Sequence, residues 1–220
     1  MKITILTLFP EIFHNFLKTS IINNIIKNKI VNIKIINFRD FSKDKHKKVD
    51  DYQYGGGGGM VLMLQPIVDA INEYKTKNTK VILLTPQGKT LVQKKVKDFS
   101  RQKDIILICG RYEGFDERIV NYVDECISIG DYILMGGEIP AMVLIESIAR
   151  LLDNSINKQS LDVESFDNNL LDYSAYTKPI NFDNYKVPTI LLSGNHNKIK
   201  EFRIKEQISK TKKNRPDLLK

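Results

Sequence analysis

Short runs of apolar and β-branched residues recur along this chain with helical patterns between them, and that alternation limits the fold more than any other feature. "KITILTLF" (2–9), "IVNIKIINF" (30–38), "KVILLTP" (80–86), "DIILICG" (104–110) and "CISIGDYIL" (126–134) read as strands. Several are apolar nearly throughout, as parallel strands buried on both faces are. Residues 11–28, 65–76, 90–99 and 115–123 carry helical spacing, and Pro66 suits a first helical turn. "IPAMVLIESIARLL" (139–152) predicts an amphipathic helix opened by Pro140. The alternation predicts an α/β domain with a mainly parallel sheet over 1–152.

The composition then changes. Residues 153–179 are rich in Asn, Asp and Ser without a sustained period, and read as a linker. Residues 180–220 form a small C-terminal helical element, with a basic helical stretch at 195–213. From Lys198 to Lys220 there are nine Lys/Arg against three Asp/Glu, so most of the chain's net charge of +8 lies there. Such a concentration points to an anionic partner, nucleic acid ahead of a merely solvated helix face. Cys109 and Cys126 make neither a disulfide framework nor a zinc pattern, and His14, His46 and His196 are scattered. A reducing cytosol fits. The opening "MKITILTLFPEIF" ends its apolar run at Pro10-Glu11 without a small-residue cleavage site, so it reads as a first strand rather than a signal peptide. No apolar run approaches membrane-spanning length, and the expectation is a cytoplasmic protein with no membrane partner.

In an open parallel sheet, ligands bind beyond the carboxyl ends of the strands. Three strand ends here run into unusual loops: "LTPQG" (84–88), "CGRYEG" (109–114) and "IGDYILMGGE" (129–138). Three such loops in one domain predict a single pocket. "QGKT" lacks the earlier glycine of a phosphate loop, since Leu83 stands there, and no GxGxxG, GxSxG or HExxH pattern appears. A dehydrogenase, a P-loop NTPase and a serine hydrolase are disfavoured. One stretch remains: "DYQYGGGGGM" (51–60), five consecutive glycines that would weaken any regular element. It is either a slack linker or a place where backbone must be approached closely.

Taken together, "RDFSKDKHKKVDDYQYGGGGGM" (39–60), "LTPQG", "CGRYEGFDER" (109–118), "SIGDYILMGGEIPAM" (128–142) and "LLSGNHNKI" (191–199) resemble the bacterial tRNA (guanine-N1-)-methyltransferases, the TrmD-like branch of the SPOUT class. The likeness runs in order from "LFPEIF" to "RPDLL". It implies a SPOUT-type α/β fold with a parallel sheet and a C-terminal trefoil knot, an exception to the rule of unknotted chains. It further implies a homodimer, S-adenosylmethionine (SAM) as cofactor, tRNA as partner, and a C-terminal helical domain that grips the tRNA. The product would be 1-methylguanosine at tRNA position 37, with guanosine preceding it. Magnesium is left open as an assisting ion, and no protein metal site is expected.

Carried over by position, the resemblance makes the three loops the cofactor site: Leu84, Pro86 and Gly88; Gly110, Tyr112 and Glu113; Ile129, Gly130, Asp131, Tyr132, Ile133, Leu134, Gly136 and Gly137. It gives Arg39, His46, Asp50, Gly55, Gly59 and Asp172 to the RNA substrate, with Asp40, Asp44 and Asp51 contacting RNA or bracing the loop. The glycine run would then sit beside the reacting guanine. Gln53 and Gly58 stand where the family commonly has Pro, which predicts a floppier loop.

Methylating guanine N1 requires a base to take its proton and a cation to stabilise charge developing towards O6. Arg150 matches the family's catalytic arginine. Glu164, in "VESF", stands where the family has the catalytic Asp, one methylene longer, with Asp162 and Asp172 as alternatives because "LLDNSIN" departs from the family pattern. Two other readings remain: a SPOUT methyltransferase with another RNA target, and an RNA-binding protein of the same fold that has lost catalysis.

Overall fold

Parallel strands need hydrogen-bonded neighbours and cover on both faces, and the apolar runs supply them. The computed structural model describes residues 1–152 and 164–220. Strands β1 (Lys2–Thr7), β2 (Asn32–Asn37), β5 (Thr79–Thr90), β6 (Asp104–Cys109) and β7 (Glu125–Ser128) form one sheet in the order β2-β1-β6-β5-β7. Every neighbouring pair is parallel. Two-residue strands β3 (Asp50–Asp51) and β4 (Val61–Leu62) pair antiparallel, as do β8 (Asn181–Phe182) and β9 (Tyr185–Lys186).

Side chains of a strand alternate between faces, and the core divides accordingly. Ile105, Leu107 and Cys109 of β6 join Ile3 and Ile5 of β1 on one face. There they meet helices α1 (Phe13–Phe16), α2 (Ser20–Lys27), α4 (Gln93–Ser100) and α5 (Glu138–Leu151). Ile106 and Ile108 face the other way with Leu6, Val81 and Leu83, under α3 (Leu64–Tyr74). The result is a helix–sheet–helix sandwich. Helix α5 turns Ala141, Leu144, Ile145, Ile148 and Ala149 inward, which leaves Ile139, Val143, Glu146 and Arg150 along its exposed face.

Three expected elements came out differently. The run 126–134 is strand only to Ser128, because the Ser128 hydroxyl bonds Gly130 and Gly130 takes a φ of +149°, which ends the ladder. Residues 115–123 form a short 3-10 segment, Glu117–Tyr122, capped by the Asp116 side chain on Arg118 N. The span 11–28 breaks into a 3-10 turn, α1 and α2. Strand β5, by contrast, runs past Pro86: Leu84 and Lys89 both pair with Ile127, so the residues between them bulge out of the ladder. Gly88 lets this happen, because a Cβ there would lie 2.4 Å from Ile127 N.

The chain divides into two compact units, Met1–Ile156 and Asn157–Lys220. In the second, helix α6 (His196–Asn214) is capped by the Asn195 side chain, which accepts from Lys198 N at 3.1 Å. One of its faces holds an extended segment. Thr211 Oγ1 accepts from Leu171 N, Glu206 from Ser174 N, and Arg203 lies 4.4 Å over the Tyr173 ring.

Leu107 is fully buried at the centre of the sheet. Leu107→Ala is expected to cost about 2–5 kcal/mol, through lost transfer energy and the cavity it leaves, as read by urea unfolding.

Candidate functional site

Strands β5, β6 and β7 end side by side, and the loops that follow them enclose a cavity of about 430 Å³. Ligand pockets run from about 300 to 1,000 Å³, so this one is large enough for a small-molecule ligand. Of the residues assigned to the cofactor from sequence, all line the cavity except Gly88 and Asp131. Gly88 instead packs on the backbone of β7. The loops lock together through backbone: Gly137 N donates to Gly110 O at 2.9 Å, and a Cβ on Gly137 would sit 2.7 Å from Cys109 Cα. Tyr112 takes a left-handed φ of +58°, with its side chain half-exposed at the cavity.

Two residues that the sequence reading passed over are prominent here. Arg111 lines the cavity, and its Nε lies 3.0 Å from Oε2 of Glu138, a carboxylate only 2% exposed. The other oxygen, Oε1, accepts from the Thr7 hydroxyl at 2.7 Å. The Arg111 guanidinium also lies 4.4 Å over the Phe9 ring, and Gly136 leaves it room, since a Cβ there would be 2.4 Å from Nε. The signal was available: a cation directly after Gly110 in a predicted ligand loop, and an acid opening a helix. What sequence could not give is that they meet. Next to them, burial pushes the Cys109 thiol well above its ordinary range, the Glu138 charge adding to the rise and Arg111 opposing it. That cysteine is chemically quiet.

The five glycines lie in the loop between β3 and β4, which pair at Asp50–Leu62 and Asp51–Val61. Gly55, Gly56, Gly57 and Gly59 all have positive φ, conformations that other residues rarely adopt. Gln53 stands over the loop: its Nε2 donates to Gly56 O at 2.7 Å and fills the space a Gly57 Cβ would need. A Cβ on Gly59 would meet Glu113 Cγ at 2.5 Å. Glu113 N donates to Met60 O, Leu62 N to Gly114 O and Asp116 N to Leu62 O, so the glycine loop is sewn directly to a wall of the cavity. It is a hairpin loop, not a linker between domains.

The basic loop that precedes it is built on its own hydrogen bonds. Arg39 Nη1 donates to Lys47 O, and Lys47 Nζ to the carbonyls of Asp40 and Ser42. Asp44 Oδ1 accepts from His46 N at 2.8 Å and Lys48 N at 3.2 Å. These backbone N–H groups, Lys48 first, hold the Asp44 carboxyl below its ordinary 3.8. His46 is exposed and Asp50 half-buried on β3. Gly55 is exposed, and a Cβ there would meet no atom.

Arg150 sits one residue from the end of α5 on its exposed face, and Glu164 is half-buried in the second unit. Asp172 is in the second unit too, where its Oδ1 accepts from Tyr173 N and its carbonyl from Lys210 Nζ. Asp162 lies outside the described residues. Among the described residues no group of three or more His, Cys, Asp or Glu could hold a metal ion, and no helix is long and apolar enough to cross a membrane.

A parallel α/β sheet with a glycine-walled cavity beyond its strand ends places the chain among the α/β proteins that take a ligand at that edge of the sheet. The sequence model of the tRNA (Guanine-1)-methyltransferase TrmD family matches residues 1–220. Curated relatives named tRNA (guanine-N(1)-)-methyltransferase include one from Malacoplasma penetrans, 62% identical over 218 residues and spanning 99% of this chain and 96% of that protein. Another, from Ureaplasma urealyticum, is 56% identical over 99% of this chain and 96% of its own length. A third, from Mycoplasma capricolum, is 52% identical over 100% and 92%. The chain belongs to the tRNA (guanine-1)-methyltransferase TrmD family.

The depressed Asp44 carboxyl fixes a sign. Its two hydrogen bonds are made by the charged form, so they persist through neutral pH and are lost as pH falls through the lowered value. In an acid titration followed by amide NMR, the His46 and Lys48 resonances should move together with a midpoint below 3.8.

Proposed function

We propose that this protein transfers a methyl group from SAM to N1 of guanosine 37 in tRNA, in molecules with guanosine before it. The observation that carries the reading is the cavity at the ends of β5, β6 and β7 in a chain of this family. Three of its features suit SAM. Its lining includes apolar side chains, such as Leu84, Ile129 and Leu134, fit to flank an adenine. Glycines at 110, 136 and 137 let main-chain donors and acceptors come close to a ribose. Two carboxylates, Glu113 and Glu117, line it, and they favour a cationic sulfur centre.

When bound, SAM supplies a methyl on a positively charged sulfur. In the proposed reaction the Glu164 carboxylate takes the N1 proton of guanine. Arg150 stabilises the charge that develops at O6 as that proton leaves. The glycine loop, anchored to Glu113 and Gly114, presents its backbone to the base and sets the approach of N1 to the donor. Glu164 keeps the carboxylate that an aspartate would carry, one methylene further from the backbone.

The reading includes a trefoil knot formed by the loops around the cavity, a 1–152 knotted SAM-binding domain, a 153–179 linker that carries the catalytic carboxylate and a 180–220 helical domain that holds tRNA. Supporting the last part, α6 and its flanks carry most of the net positive charge. The reading also includes a homodimer, and an exposed apolar face supports it. Ile133 is 79% and Met135 91% exposed, with Ile139 and Val143 continuing along α5. The protein acts in the cytoplasm, where its tRNA substrate is found.

Labelled SAM and two tRNA transcripts, one with guanosine at 36 and 37 and one with another base at 36, provide the test. Selective labelling at guanosine 37 is expected, falling at least about 100-fold in Arg150→Ala and in Glu164→Gln. Full activity in Glu164→Gln would move the base to Asp162 or Asp172. Binding of SAM and tRNA without transfer would turn the reading to an RNA-binding protein that has lost catalysis.

A further inference from the structure

We propose that Glu138 sets the charge selectivity of the cavity: it neutralises Arg111, so that a cationic ligand enters without facing an uncompensated guanidinium. The proposal rests on reading the cavity as a SAM site. Among the described residues that line the cavity, Arg111 is the one Lys or Arg, and Glu113 and Glu117 line it too, so without Glu138 the guanidinium would offset a carboxylate that a cationic ligand meets. A sulfonium is a positive charge, and a bare guanidinium in the wall would repel it through a medium less polar than water. Glu138 does not line the cavity. It acts on the ligand only through Arg111, as a positioning and charge-balancing residue.

The geometry is that of a charge pair rather than of a fold-stabilising hydrogen bond. Arg111 Nε and Glu138 Oε2 are 3.0 Å apart but not aligned as donor and acceptor. Two features of the fold hold the Glu138 carboxyl where it is. It opens α5, where the helix N-terminus favours an anion, and Oε1 takes the Thr7 hydroxyl at 2.7 Å. Arg111 is held in place independently by the Phe9 ring. Apolar residues of similar volume would serve stability about as well as a buried ion pair, so stability alone does not explain this one. Gly136, whose Cβ would collide with both partners at 2.4 and 2.6 Å, leaves the pair its space directly under the cavity loop.

SAM and S-adenosylhomocysteine make a clean comparison, because they differ by one methyl and one positive charge at sulfur. A residue that merely braces the fold would weaken both alike. Dissociation constants are to be measured by calorimetry at low salt for the full-length protein. In Glu138→Gln the ratio of the SAM constant to the S-adenosylhomocysteine constant should rise about five- to tenfold. In Arg111→Gln it should fall, since the buried carboxylate is then left to attract the sulfonium. In the double variant it should return near the wild-type ratio. If Glu138→Gln folds poorly, the fall expected in Arg111→Gln tests the proposal by itself. An unchanged ratio in both, with the two ligands weakened in parallel or not at all, would overturn the proposal and leave the SAM site standing. Failure of the wild-type protein to bind either ligand would remove the SAM site itself, and the role of Glu138 with it.

Discussion

All six residues of β6, Asp104–Cys109, are buried, and the strand is paired along both edges, with β1 on one side and β5 on the other. Such a strand has nowhere to go: its backbone is satisfied by its neighbours and its side chains by helices on two faces. Where it stops, at Cys109, the chain must leave the core and turn, and that turn is the floor of the cavity. The site therefore inherits its rigidity from the sheet. Gly110 and Gly137, hydrogen-bonded to one another above Cys109, are held in place by a strand that cannot shift without opening both core layers.

The second consequence concerns the glycine run. A loop with four residues at positive φ would sample many shapes if left alone. Here its start is pinned by the β3–β4 pairing and the Gln53 side chain, and its end by backbone bonds to residues 113–116. Conformations open only to glycine are thereby combined with fixed ends. Because one of those ends is the wall carrying Glu113, the position of the loop and the shape of the cavity are mechanically linked.

The second unit follows a different logic. On α6, Arg203, Glu206, Lys210 and Thr211 contact the segment 171–174, and Lys198, Lys200, Lys205, Lys212 and Lys213 are exposed. The buried hydroxyl of Thr211 accepts from Leu171 N, so a polar helix without a large apolar stripe still holds its neighbour. Polar contacts replace the apolar seam that helical packing commonly uses.

Period and composition alone make the sheet legible: an apolar run such as "DIILIC" can be satisfied only by burial on both faces, and alternation with helices makes it parallel. The inward and outward faces of α5 follow from spacing, and the three glycine-bearing strand ends announce a pocket. Other features depend on the tertiary structure. The strand expected at 126–134 ends at Ser128 because a side-chain hydroxyl takes over the backbone of Gly130, a competition that hydrophobic pattern does not register. Asp104–Cys109 is one continuous segment, so sequence could describe it. Arg111, Glu138, Thr7 and Phe9 come from three separate parts of the chain, and only the sheet's strand order brings them together. Local periodicity carries the identity of elements because it reflects which face each residue must bury. The charge balance of the cavity depends on contacts between residues as far apart as 131 positions, and only the folded chain decides those.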